Sequence, residues 1–249
     1  MYMMKDWPYL LITDGTSHNL SINLQLSRSS IDNPIYTRRG SQFTLGLKIT
    51  PPWSIINGKD YSKMTTSERY NLIEYHKWKF SGKVFTPLTR DSKLVLMTRA
   101  EFGYLGHYNE YAKSPFETFF MGGDGMSSYT SYSTEYVAMR GYPSGSLTPY
   151  DATMGRNMGY LYNKFTMELR YPISLEQSAT IWAHAFIEAG NCFADIKEYN
   201  PFKLKRSAGV GVRIFLPMFG LLGTDWGYGF DEPNKKNRSQ FHFVLGQEL

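Results

Sequence analysis
Lys164-Phe165-Thr166-Met167-Glu168-Leu169-Arg170-Tyr171 is the stretch on which the fold turns. Phe165, Met167, Leu169 and Tyr171 occupy every second position, and Lys164, Thr166, Glu168 and Arg170 fill the gaps. On a helix, at about 100° per residue, those polar groups would be smeared around the circumference. On a strand, successive side chains point to opposite faces, so one face is greasy and the other polar. The segment at 160–172 is therefore predicted to be a strand.

The alternation recurs on both sides. Ser41 to Thr50 places Phe43, Leu45, Leu47 and Ile49 on one face. Similar segments lie at about 19–30 (Leu20, Ile22, Leu24, Leu26), 76–87 (Trp78, Phe80, Val84) and 93–105 (Leu94, Leu96, Phe102, Tyr104). Others lie at 179–190 (Ile181, Ala183, Ala185, Ile187), 204–216 (Ala208, Val210, Val212, Ile214), 223–230 (Trp226, Tyr228, Phe230) and 239–248 (Phe241, Phe243, Leu245). These make nine strands, with 1–13 a candidate remnant of a tenth. Each is roughly ten residues long, which is what a tilted strand needs to cross a bilayer.

The connections are sorted by length. Short ones fall near 31–40, 88–92, 173–178 and 217–222, and longer ones near 51–75, 106–159, 191–203 and 231–238. Transmembrane barrels have short periplasmic turns and long extracellular loops, and consecutive strands of a meander alternate sides. Counting back from the end puts the C-terminus on the periplasmic side. A soluble sandwich has no reason to sort its loops this way, nor to carry aromatics at strand ends as Trp53, Trp78, Tyr104, Tyr171 and Trp226 are expected to do. Bacterial single-chain barrels usually close with an even number of strands, because an open sheet leaves edges that hydrocarbon cannot satisfy. The expected fold is all-β, a portion of an antiparallel transmembrane β-barrel.

Composition agrees. Aromatics make up 16% and charged residues 20% of the 249 residues, with a mean hydropathy of −0.39. That is too polar for a helical membrane protein, and no stretch approaches the roughly 18–20 apolar residues of a spanning helix. The net charge of +5 is spread along the chain and suits loops facing headgroups or solvent. Without a basic cluster interleaved with stacking aromatics, no nucleic acid partner is expected. The single Cys192 cannot form an intramolecular disulfide and reads as an inert thiol. Met1 to Thr13 lacks the parts of a signal peptide, so the expectation is that an exported protein of this kind begins further upstream.

Phe119-Phe120-Met121-Gly122-Gly123, followed by Val137-Ala138-Met139-Arg140-Gly141-Tyr142, resembles the BamA superfamily of outer-membrane assembly and translocation proteins. In that family a [VI]RG[FY] motif sits on the sixth extracellular loop. Phe186-Ile187-Glu188-Ala189-Gly190 looks like the family's lumen-facing F-x-[DE]-x-G element, and Asp32 to Gly40, more loosely, like its periplasmic turn. The ending, with Phe241, Phe243, Leu245 and Gly246, is similar to the family's last strand, although most such strands finish on Phe or Trp and this one on Leu249. The resemblance maps the nine strands onto the last nine of an expected sixteen. It implies that 1–249 is the C-terminal part of the barrel domain, with the N-terminal strands and the periplasmic POTRA domains absent.

The resemblance also implies a lock. Arg140 would reach into the lumen for a bidentate contact with Glu188, Gly141 would permit close backbone approach, and Tyr142 would offer a ring and a hydroxyl. A charge swap between Arg140 and Glu188 is expected to restore partly what Arg140→Ala removes. Arg99, Glu101, Arg170, Arg213 and Asp225 share lumenal parity and are candidates to extend this network, with most of them expected to be ordinary lumen polar groups. No catalytic constellation is found: His18, His76, His107, His184 and His242 are isolated, and His184 and Glu188 lie about 13 Å apart along one strand. Gly122-Gly123-Asp124-Gly125 lacks the lysine and the strand-to-helix setting of a phosphate loop. The chain is expected to be no enzyme, to need no cofactor or metal, and to assemble β-barrel proteins in the bacterial outer membrane. Its expected partners are unfolded client proteins, outer-membrane lipids and accessory lipoproteins. The alternatives are a two-partner-secretion translocator of the same superfamily and a passive channel.

Overall fold
The computed structural model describes residues 16–125, 134–152 and 154–246. The candidate strand remnant at 1–13 and the terminal Leu249 lie outside the described residues. In chain order the strands are β1 (Ile22–Ser29), β2 (Gly40–Ile49), β3 (His76–Pro87), β4 (Val95–Gly106), β5 (Phe119–Met121), β6 (Glu135–Val137), β7 (Tyr150–Asp151), β8 (Arg156–Asn157), β9 (Leu161–Leu175), β10 (Thr180–Phe193), β11 (Lys205–Leu216), β12 (Gly220–Gly229) and β13 (Ser239–Leu245). Two four-residue helices, α1 (Trp53–Ile56) and α2 (Thr66–Arg69), lie between β2 and β3.

Nine of these strands form one antiparallel meander in the order β1-β2-β3-β4-β9-β10-β11-β12-β13. They are the nine segments read from the alternation, with shifted ends. β12 starts at Gly220 rather than 223, because Gly220 at φ +78° closes a turn of only Pro217 to Phe219. Trp53 lies in α1, not at a strand end. The sheet is open: among the described residues β1 pairs only with β2, and β13 only with β12. The register of β9 against β10 slips near Trp182, whose partner is Pro172. A proline has no N–H to donate to the ladder, and such a residue is tolerated at a bulge.

Parity separates the faces. Phe165, Met167, Leu169 and Tyr171 of β9, Ile187 of β10, Val210 of β11 and Phe241, Phe243 and Leu245 of β13 are all exposed. Such a continuous apolar exterior fits lipid rather than water.

The inner face is layered, which the alternation did not foretell. At the short-turn end Tyr36, Phe85, Val95, Met97 and Trp182 pack together. At the long-loop end, Phe119, Met121, Val137, Met139 and Tyr142 of the 106–159 connection pack with Tyr75, Leu105, Tyr162 and Cys192. Charged side chains lie between these two apolar layers. The described part of the long connection is therefore a folded insert, with β5 and β6 paired in parallel and β7 and β8 antiparallel.

The tight turn from Ser30 to Arg39 shows how local chemistry sets a connection. The Asp32 carboxylate accepts from the Arg38 and Arg39 amides, and Asn33 Oδ1 accepts from those of Ile35 and Tyr36. Gly40 follows at φ +112°, where a Cβ would strike the Ser30 carbonyl.

Candidate functional site
Three rows of inward residues build the site. One runs Arg170, His184, Gly211, Asp225, His242 across β9 to β13, and the next Glu168, Phe186, Gly209, Gly227, Gln240. The third runs Thr166, Glu188, Ser207, Gly229. Long side chains thus stand on β9 and β10, while four of the six positions these rows take from β11 and β12 are glycine. The result is a trough with a charged wall.

The loop motif lies in that trough. Gly122 and Gly123, at φ +126° and +77°, turn the chain after β5, and the Gly123 N–H donates to the Tyr142 carbonyl at 3.1 Å. Gly141 adopts φ +84°, a region that disfavours a side chain. A Cβ on Gly227 would sit 2.6 Å from the Gly141 nitrogen, and one on Gly229 would strike the Gly141 carbonyl oxygen. The backbones meet because three glycines coincide.

Arg140 is fully buried. Its Nε and Nη2 both donate to Oε1 of Glu188, at 3.1 and 2.8 Å, and its backbone N–H donates to Oε2 at 2.9 Å. Two guanidinium N–H groups thus meet Glu188, and both converge on one carboxylate oxygen because the second is taken by the loop backbone. Nη1 reaches Oε2 of Glu168 and Oδ2 of Asp225, each at 3.2 Å. The guanidinium lies over the Phe186 ring, 3.5 Å from its centroid. Burial works against the charge, but Glu188, Glu168 and Asp225 outweigh it and hold the Arg140 pKa above its ordinary value.

The carboxylates have further cations. Lys164 reaches Glu188 at 3.2 Å, Arg170 reaches Glu168 at 2.8 Å, and Arg213 grips Asp225 with two bonds of 2.7 Å. His184 Nε2 lies 2.9 Å from Asp225 Oδ1. Asp225, Arg170 and Arg213 therefore extend the network as specific members, so three of the five candidates are more than ordinary lumen groups. Four cations face three carboxylates, leaving one formal positive charge.

Phe186, Glu188 and Gly190 act as one inward-facing set. Phe186 takes the guanidinium plane and Glu188 the donors, while a Cβ on Gly190 would meet Met121 at 2.7 Å. Tyr142 is buried; its hydroxyl donates to the Arg206 carbonyl at 2.7 Å and accepts the Asp231 amide at 3.3 Å. Burial pushes its phenol up to about 12, so it keeps its proton.

Glu168, His242 and the glycine trough were missed by sequence reasoning. Glu168 lies on the polar face of the opening stretch and could have been found there by parity. His242 could not, because the Gly141 amide that donates to its Nε2 at 2.9 Å is 101 residues away in sequence. A separate set of ions joins the insert to the opposite wall. Glu117, at φ +65°, accepts from Lys48 at 2.6 Å and Lys77 at 3.3 Å, and Glu135 pairs with Lys77 and Lys79.

The arrangement holds a long insert inside a β-sheet by polar contacts to two walls. The structure is similar to that of BamA from Haemophilus ducreyi lacking POTRA domains 1-3, with a TM-score of 0.63 and 17% sequence identity. That match covers 90% of this chain and 41% of the other, so this chain spans about two fifths of its solved relative. At such identity the likeness speaks for the fold alone. No curated protein matches the sequence. The Omp85 superfamily domain, however, matches residues 4–249. With nearly every residue inside that match, the chain belongs to the Omp85 superfamily and is an Omp85-type protein of the bacterial outer membrane.

Proposed function
We propose that the intact protein folds and inserts other β-barrel proteins into the outer membrane, with no catalytic group, cofactor or nucleotide. The observation that carries this reading is the state of the last strand. β13 is short: it pairs with β12 over only seven positions, Leu222–Tyr228, where β9 and β10 pair over fourteen, so in this reading it closes weakly on a flanking strand and leaves outer N–H and C=O groups for an incoming one. A row of unpaired N–H and C=O groups is a template on which an incoming strand adds by β-augmentation. Gly246 at φ +72° ends the strand directly after Leu245. Exchange of one hydrogen-bonded edge for another releases and forms bonds of the same kind, so the step needs no external energy source.

In this reading the partners are unfolded outer-membrane client proteins meeting the β13 edge, lipids against Phe241, Phe243 and Leu245, and accessory lipoproteins. The C-terminus faces the periplasm, since β13 ends on the side of the short turns that join β9 to β10 and β11 to β12. The Arg140 network serves as the lock that keeps the insert seated during insertion.

Depletion of the parent gene tests the proposal. Many outer-membrane proteins should fall together. Loss of a single secreted partner would favour a two-partner-secretion translocator, and a large steady conductance that survives Arg140→Ala would favour a passive channel.

A further inference from the structure
We infer that the loop motif grips the terminal strand as well as the wall, through a hydrogen bond from the Gly141 amide to Nε2 of His242. That bond makes the seating of the insert and the ordering of β13 one event. It is 2.9 Å long, and His242 is buried on the inner face, level with Asp225 of β12. Among the described residues, the neighbouring inward positions of β13 offer no equivalent, since Val244 is apolar and the Gln240 amide donates locally to the Asn237 carbonyl at 2.9 Å.

Gly227 supplies an independent observation. It lies on β12, between the loop and β13, at the place where a side chain would stand 2.6 Å from the Gly141 nitrogen. Its missing Cβ opens the line from the loop backbone to β13. The direction of the amide is set in turn by Gly141 at φ +84° and by the anchored Arg140 before it. To accept, Nε2 must be unprotonated, so His242 is the neutral tautomer with its proton on Nδ1.

The coupling is reciprocal, as any linkage of two equilibria is. Lifting the insert releases β13 from inside, and peeling β13 away strands a buried amide of the loop. His242 is thus a positioning residue for the edge strand. Its consequence for clients rests on the assembly reading above, whereas the tie itself does not.

The test is hydrogen exchange of the full protein in lipid nanodiscs, comparing His242→Leu with His242→Gln. The Gln side-chain oxygen reaches about where Nε2 stands, so it preserves the acceptor that Leu removes. His242→Leu should speed exchange on the order of tenfold in both β13 and residues 138–142, leaving β9 to β11 unchanged, and His242→Gln should restore the native pattern. Unchanged exchange in either segment overturns the inference. So does a Gln variant that behaves like Leu, or a rise spread equally over β9 to β11. Should the Leu variant not assemble, 15N NMR of the imidazole in the native protein decides: a protonated Nε2 sinks the tie, and an unprotonated Nε2 coupled to the Gly141 amide supports it. Loss of the exchange response leaves the assembly reading standing if depletion still lowers many clients. An intact response with only one secreted partner lost sinks the assembly reading instead.

Discussion

Arg140→Ala is expected to weaken the folded state by about 3 kcal/mol, at the low end of the roughly 3–5 kcal/mol found when one partner of a buried ion pair is removed. The structure places it there because each carboxylate keeps a cation. Asp225 retains both bonds to Arg213, Glu168 retains Arg170, and Glu188 retains Lys164 and the Thr166 hydroxyl. The charge of the network falls from one positive to balanced. Glu188→Ala is expected to cost more, about 4–5 kcal/mol, since it strands the Arg140 backbone amide and Lys164 while raising the network to two positive charges. A swap of the two charges should not rescue either loss, contrary to the expectation from sequence. A new carboxylate at position 140 would face Glu168 and Asp225, each of which now lies 3.2 Å from Arg140. The assay is urea unfolding in lipid vesicles, with the folded fraction read from heat-modifiable gel mobility and the loop from protease resistance. About 3 kcal/mol is roughly a hundredfold in the folding constant. A shift below about 1 kcal/mol for Arg140→Ala would refute the reasoning, as would recovery in the swapped double variant.

Gly227→Ala and Gly229→Ala should each unseat the motif, since their new methyl groups meet the Gly141 backbone; protease cleavage within 134–152 should rise while the meander survives. Tyr142→Phe removes the hydroxyl that donates to the Arg206 carbonyl and accepts the Asp231 amide, and should cost about 1 kcal/mol in the same urea assay, less than Tyr142→Ala. Ile187→Arg puts a charge on the exposed apolar face of β10 and should lower stability in bilayers by about 2–4 kcal/mol if it sits near the midplane; indifference to that change would contradict a lipid-facing surface. Glu117→Gln weakens the clasp to Lys48 and Lys77 and should loosen the insert at the β2–β3 wall without altering exchange in β9 to β12.

The alternation in Lys164 to Tyr171 determined that this segment is a strand and which side chains share a face, because a strand's period of two is a local property of the backbone. Repeated nine times with sorted connections, it determined the meander and the greasy exterior. Arg140, Glu188 and Phe186 were legible because each sits within a short motif. Parity alone also put Asp225 on the inner face, and the same parity was available for Glu168. What parity cannot express is the row in which a residue stands once strands pair. Asp225 meets Arg140 and His242 receives the Gly141 amide because registers align residues far apart in sequence. The glycine trough and the two apolar layers on either side of the charges are likewise products of alignment between strands. A side chain's face is set by its immediate neighbours in the chain, but its partners are set by which strands lie beside it, and only the tertiary structure decided that.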